Sequence, residues 1–368
     1  MKNREGKWLK NFIIVMAVLL AATGTLTAVV DPFFHYHAPL SGLYYTLSAQ
    51  RFQNDGITKH FSYDAVITGT SMTENFKASE FDELFGTQSI KVPYPGATYR
   101  EISDNLDTAL STHDVKLVLR CLDYTQLVRS ADDMRTDMGE YPDYLYDSNP
   151  FNDVQYLFNR DAMFEYTIPT LLRFLKGDAG GVTSFDDYGW TGDDAYGREK
   201  VLPHLTSYRG MAEQESLTDR ERQLVTENIT ENVLNQALAN PDTEFDVFFP
   251  PYSIAWWATL AEEGTLKKQI EAEELAENLM LQASNIRIYS FNLEDDILCD
   301  LDSYKDDGHY SPEISAKILQ MIHDGTDEIT KENVASYAKA QETYFMNFDY
   351  AAFAQEQSRE TEGEEAEN

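Results

Sequence analysis

Asp64-Ala-Val-Ile-Thr68-Gly69-Thr70-Ser71 is the stretch from which the rest of this chain is read. A short apolar run bounded by a glycine suits a strand buried on both faces. The glycine lets the backbone turn sharply, so a serine emerges directly after the strand. The same alternation repeats downstream. Phe81, Leu84 and Phe85 mark one face of a short helix stopped by Gly86. Ser89-Ile-Lys-Val92 reads as a second strand. Thr98-Tyr-Arg-Glu101 is a capping box opening a helix whose stripe is Ile102, Leu106, Ala109 and Leu110. Val115-Lys-Leu-Val-Leu119, running on to Leu122, gives a third strand. A helix over 226–239 precedes the strand Phe245-Asp-Val-Phe-Phe249, and a long helix over 254–281 precedes Ile286-Arg-Ile-Tyr-Ser290. A last helix over 312–323 has Ser311 as N-cap and Pro312 at its first position. Five strands separated by helices predict an α/β fold with a five-stranded parallel sheet covered on both faces.

In such sheets the ligand sits at the carboxyl ends of the strands. The loop after strand one carries Ser71, and the loop after strand five carries Asp306-Asp-Gly-His309. A serine hydroxyl needs a base to become a nucleophile, and that base is usually a histidine oriented by a carboxylate. The spacing lets Asp306 orient His309, with Asp307 as the alternative acid. The backbone N–H groups of Ser71 and Met72 are the expected donors to an oxyanion. The pattern is not the Gly-x-Ser-x-Gly elbow, because position 73 is threonine. Either motif alone is as well explained by a common turn, so their weight comes from topology. Tyr252 and Ser253, after strand four, are expected at the same edge. Trp256 and Trp257 suit either a sugar platform or core packing.

This chemistry needs no cofactor and no metal. His35 and His37 have no ligand cluster beside them. A calcium loop around Asp300, Asp302 and Asp306 is disfavoured by Tyr304 and Lys305. Cys121 and Cys299 lack metal-ligand spacing and form one disulfide or none.

Residues 128–216 break the alternation, being rich in Asp, Tyr, Gly and Pro with one helical stretch over 156–175. They read as an insertion able to build a lid or substrate wall. Within them Asn149-Pro-Phe-Asn152-Asp153 is a substrate contact or simply a turn.

At the N-terminus Lys2, Arg4, Lys7 and Lys10 precede an uncharged run from Phe12 to Val30. That run covers roughly 28 Å as a helix, close to the thickness of a bilayer core. The basic flank favours an N-in, single-pass helix with the domain outside; cleavage after Ala22-Thr-Gly24 is the other possibility. The expected organisation is a cytoplasmic basic segment (1–11), a transmembrane signal-anchor (12–30) and a membrane-exit segment (31–60). An α/β domain (61–325) and an extension with a disordered acidic tail (326–368) follow. The 368 residues carry a formal charge of −34, which disfavours nucleic acid and anionic lipid headgroups as ligands.

Gly69-Thr-Ser71 near the start of the domain and Asp306-x-x-His309 near its end resemble the first and last blocks of SGNH (GDSL-type) hydrolases. The resemblance is to their membrane-anchored bacterial branch, which includes DltD-type proteins and SGNH-like proteins of polysaccharide O-acetylation. It spans roughly residues 60–125 and 225–325. It implies a three-layer, flavodoxin-like α/β/α fold, Ser71 as nucleophile, His309 as base and Asp306 as orienting acid. Gly96, in Pro93-Tyr-Pro-Gly-Ala97, matches the family's oxyanion glycine. Asp123 stands where the family has an asparagine donor, and an ionised carboxylate there would repel an oxyanion. The implied activity is hydrolysis or transfer of an acyl ester on a small ester or a cell-envelope glycan, with a membrane acyl-donor protein as a further partner. A non-catalytic envelope scaffold is the alternative that the missing asparagine supports.

Overall fold

The computed structural model describes residues 2–137, 141–179, 184–190 and 195–367. The chain forms two compact units. One comprises residues 1–61 and 139–187, the other 62–138 and 188–368.

The larger unit is built on one sheet: β1 (Ala65–Gly69), β2 (Ser89–Pro93), β3 (Leu117–Cys121), β4 (Glu244–Phe249), β5 (Ile286–Ser290) and β6 (Glu328–Ile329). Its order is β2-β1-β3-β4-β5-β6. The first five strands are parallel, with registers such as Ala65 opposite both Ser89 and Leu117. Strands β1, β2 and β3 are buried along their whole length, including Lys91 in β2 and Arg120 in β3, so their apolar residues follow one another instead of alternating with solvent-facing ones. The expected sheet of five strands gains a sixth, a short antiparallel edge pairing Ile288 with Ile329. Two residues carry too little pattern to be recognised in sequence.

The strand order reverses at β1, which lies between β2 and β3, and the carboxyl end of such a strand is where sheets of this kind place a ligand. Gly69 is required at that exit. Its φ is +155, and a Cβ there would lie 2.7 Å from the Cys121 Cβ and 2.8 Å from the Thr73 Cγ2.

Several helical expectations change. The long helix after β4 is two, Ile254–Glu263 and Leu266–Met280. They break at Gly264, where φ is +78 and a Cβ would meet the Glu213 carbonyl at 2.5 Å. The helix before β4 starts earlier, at Asp219, and passes through a π turn over Thr230–Leu234. The acidic tail, expected to be disordered, lies in a helix over Tyr350–Glu367. Its own Tyr350 and Ala354 are buried, and Arg198 reaches Glu360 at 3.0 Å. The preceding helix, Val334–Asn347, stacks Phe345 on Trp257 with ring centres 3.8 Å apart. The extension is therefore part of the fold rather than an appendage.

The smaller unit joins the N-terminal helix, Lys2–Val30, to the segment after it and to residues 139–187. The part over Arg4–Val30 is long and apolar enough to cross a membrane. Asp31 ends this helix as a buried acceptor. Its carboxylate takes the N–H groups of His35 (3.0 Å), Tyr36 (2.7 Å) and His37 (3.0 Å), and the Tyr156 hydroxyl (2.7 Å). Asp153 accepts from the Tyr36 hydroxyl at 3.0 Å and contacts His35 Nε2 at 3.3 Å. So Asp153 serves the polar knot that follows the N-terminal helix. The expected insertion of 128–216 is thereby divided: 139–187 belong with the N-terminal segment, and 188–216 with the sheet. The single helix expected over 156–175 is a short turn over Val154–Leu157, then a π turn over Ala162–Thr167 leading into Ile168–Lys176.

Candidate active site

Ser71 opens a 3₁₀ turn, Ser71–Thr73, two residues beyond β1. Its Oγ lies 2.8 Å from His309 Nε2. On the other side of the ring, His309 Nδ1 lies 2.9 and 2.8 Å from the two Asp306 oxygens. The sheet thus brings Ser71 to a loop 238 residues away at His309, with the three side chains in the order serine, imidazole, carboxylate.

The Asp306–His309 loop is held by its own chemistry. Tyr304 and Tyr310, both fully buried, form an antiparallel bridge that closes it, and Lys305 N donates to the His309 carbonyl at 2.9 Å. Asp306 Oδ1 also accepts the N–H groups of Gly308 (3.0 Å) and His309 (2.9 Å), a side-chain-capped turn. The Tyr310 hydroxyl donates to the Met72 carbonyl at 3.0 Å, tying this loop to the one that carries Ser71. Burial pushes the Asp306 carboxyl up. The hydrogen bond and charge of His309, with the two loop N–H groups, outweigh it and hold the carboxyl at about 2.

The alternative acid, Asp307, turns elsewhere. Both its oxygens face His204 Nδ1, at 2.7 and 2.6 Å, and its carbonyl takes the Ser253 N–H (2.9 Å) and hydroxyl (2.8 Å). Ser253 is fully buried, so it anchors the loop and does not line an open edge. Tyr252 is also buried; a Cβ on Gly308 would come within 3.3 Å of its ring. Burial, with the neighbouring Asp123 charge, raises the Tyr252 phenol well above its usual range. Trp257 is core, and Trp256 meets Tyr252 edge-to-face at 4.8 Å.

The expected oxyanion donors fare unevenly. The Met72 N–H faces the Thr70 hydroxyl at 3.5 Å, a long contact. Gly96 has φ +63, and the Arg135 guanidinium fills the space that a Cβ would take, 2.1 Å away. Arg135 also donates to the Pro95 carbonyl, which stiffens this turn after β2. Asp123 is fully engaged. It accepts from the Thr70 hydroxyl (2.8 Å) and from the Thr125 N–H (2.9 Å) and hydroxyl (2.6 Å). This carboxylate braces Thr70, the residue before Ser71.

Three side chains at the site carry no signal in the sequence pattern. Trp190 stands edge-on to His309, ring centres 4.2 Å apart at 89°, and Lys305 Nζ lies 4.2 Å from the Trp190 ring centre. Asn75 fixes it: Oδ1 takes the Trp190 N–H (2.9 Å), and Nδ2 donates to the Tyr310 carbonyl and Tyr196 hydroxyl, both at 2.7 Å. Lys91 is wholly buried and donates to the carbonyls of Glu74 (2.6 Å), Phe76 (2.7 Å) and Tyr188 (2.9 Å).

His35 and His37 turn apart, the latter with Nδ1 2.7 Å from the Ala38 carbonyl. Asp300 accepts from Ser303 at 2.6 Å, and Asp302 pairs with Arg198. Cys121 and Cys299 are unpaired thiols. No model of a known protein family and no curated protein matches this chain.

Proposed function

We propose that this chain is a membrane-tethered serine acyl-ester enzyme of the SGNH type. Ser71 is the nucleophile, His309 the general base and Asp306 the acid that orients it. The observation that carries this reading is the continuous relay, 2.8 Å from Ser71 Oγ to His309 Nε2 and 2.8 Å from His309 Nδ1 to Asp306. The strand order, with its reversal at β1, supports the three-layer flavodoxin-like arrangement that accompanies it.

In this mechanism His309 Nε2 takes the Ser71 proton as Oγ bonds to the acyl carbon. Asp306 stabilises the imidazolium that forms. His309 then gives the proton to the departing oxygen as the carbon–oxygen bond breaks, leaving an acyl-Ser71 ester. Water or a glycan hydroxyl, deprotonated by His309, attacks that ester and restores Ser71. The N-terminal helix favours an envelope polymer as acceptor and a membrane protein as acyl donor, with the site on the side the helix exits.

A second reading has its own observation. Asp123, bound to Thr70, places a carboxylate in the region where the resembled family places a donor, which suits a scaffold that has lost turnover. Full-length protein in detergent treated with a fluorophosphonate, then digested and analysed by mass spectrometry, separates the two. An adduct on Ser71 that forms far more slowly in H309A supports the enzyme. No adduct, under conditions that label a control hydrolase, supports the scaffold.

A further inference from the structure

We infer that residues 154–176 form an interfacial membrane-binding face, seated at the headgroup–acyl boundary of the leaflet from which the N-terminal helix emerges. The inference rests on reading that helix as a membrane span.

Depth is the first argument. A Cβ on Gly24 would meet the Phe158 ring at 3.5 Å and the Leu157 Cβ at 3.9 Å. Gly24 lies six residues before the helix ends at Val30, or about 9 Å inside that end at about 1.5 Å per residue. The Val154–Leu157 turn and Phe158 therefore run beside the last apolar turns of the helix. The Asp31 knot fixes this height, because Tyr156 and Asp153 hold the backbone that leaves Val30.

Exposure is the second. Ala162, Met163, Thr167 and Thr170 turn into the unit. Phe164 (65%), Phe174 (52%) and Leu175 (76%) are left bare, as are Val154, Phe158 and Leu172. Phe164, Leu172 and Leu175 share three- and four-residue spacings with the half-buried Ile168 and Leu171, so half of these bare side chains belong to one helical stripe. Six such side chains expose on the order of 500 Å², as much as the largest apolar patch of a soluble monomer, a size at which such patches are often binding surfaces. The helix closes on Lys176, an exposed cation of the kind that meets phosphates on an interfacial helix, while Arg173 beside it donates to the Thr46 hydroxyl at 2.6 Å. Its continuity with the apolar surface of the membrane helix selects lipid as the occupant.

The test uses full-length protein with Cys299→Ser, reconstituted into phosphatidylcholine–phosphatidylglycerol vesicles. Single nitroxides are placed at Phe164→Cys and Leu175→Cys, with Leu19→Cys and Lys339→Cys as references. Power saturation then compares oxygen with a water-soluble nickel chelate. Labels at 164 and 175 should favour oxygen several-fold over the label at 339, at a depth of about 5–10 Å and shallower than the label at 19. Aqueous labels at 164 and 175 with a lipid-embedded label at 19 would overturn the inference and leave the anchor standing. An aqueous label at 19 would overturn the anchor and the inference together. A non-perturbing label on an exposed side chain leaves the packed face intact.

Discussion

Replacing Asp306 with asparagine removes a charge from the site while leaving an oxygen to accept the Gly308 and His309 N–H groups. What His309 loses is a negative neighbour that fixes its Nδ1 proton and stabilises its imidazolium. Unit charges about 4 Å apart interact by about 4 kcal/mol at an effective dielectric of 20 and about 1 kcal/mol in water. The side chains of Asp306 and His309 are 48% and 28% exposed, so the interaction belongs between those limits, at about 1–3 kcal/mol. An independent gauge agrees. Despite burial, contact with His309 holds the Asp306 carboxyl at about 2 against an ordinary 3.8. At about 1.4 kcal/mol per pH unit that is roughly 2 kcal/mol, and screening of the half-exposed carboxylate leaves about 1 kcal/mol. The rate at which a fluorophosphonate modifies Ser71 needs no knowledge of the substrate. It should fall about 10- to 100-fold in D306N. D307N should stay within about threefold of the parent, because Asp307 faces His204 instead. Parental labelling in D306N, or an equal loss in D307N, would refute the assignment of the acid.

Trp190→Ala removes an edge-to-face contact worth about 0.5–1.5 kcal/mol, so Ser71 labelling should slow by about two- to tenfold. Its pH profile should broaden as the ring of His309 loosens, whereas a purely structural role would move only the melting temperature. Gly69→Ala adds a Cβ 2.7 Å from Cys121 at a φ of +155, and urea unfolding should show a loss on the order of 2–4 kcal/mol. Burial holds the Asp246 carboxyl up at about 7, with Arg287 3.7 Å away and neither oxygen hydrogen-bonded among the described residues. The folded state therefore keeps a proton that the unfolded state releases near pH 4, and this group costs stability as pH rises from about 4 to 7. Asp246→Asn should accordingly stabilise the protein by about 2–4 kcal/mol at pH 8 and change it little at pH 4, read from denaturation at the two pH values.

The sheet was legible because strands buried on both faces write themselves as apolar runs; Val66, Ile67 and Val118 leave little room for another reading. Ser71, Asp306 and His309 were legible because topology sends strand ends to one edge, even though each short motif is common. Residues 128–216 were opaque for the opposite reason. Their order comes from polar contacts across distant sequence, such as Asp153 with Tyr36 and Asn75 with Trp190, and such contacts leave no periodicity. The acidic tail misled because its charge was weighed without the buried Tyr350 and Ala354 that carry the helix. Asp123 looked like a flaw in an oxyanion hole; in the structure it is also a brace that holds Thr70.

The most direct measurement of the central claim is where a fluorophosphonate lands on the full-length protein. The account predicts a single adduct on Ser71, abolished in S71A and strongly slowed in H309A. An unmodified Ser71 in folded protein, under conditions that label a control hydrolase, would contradict it.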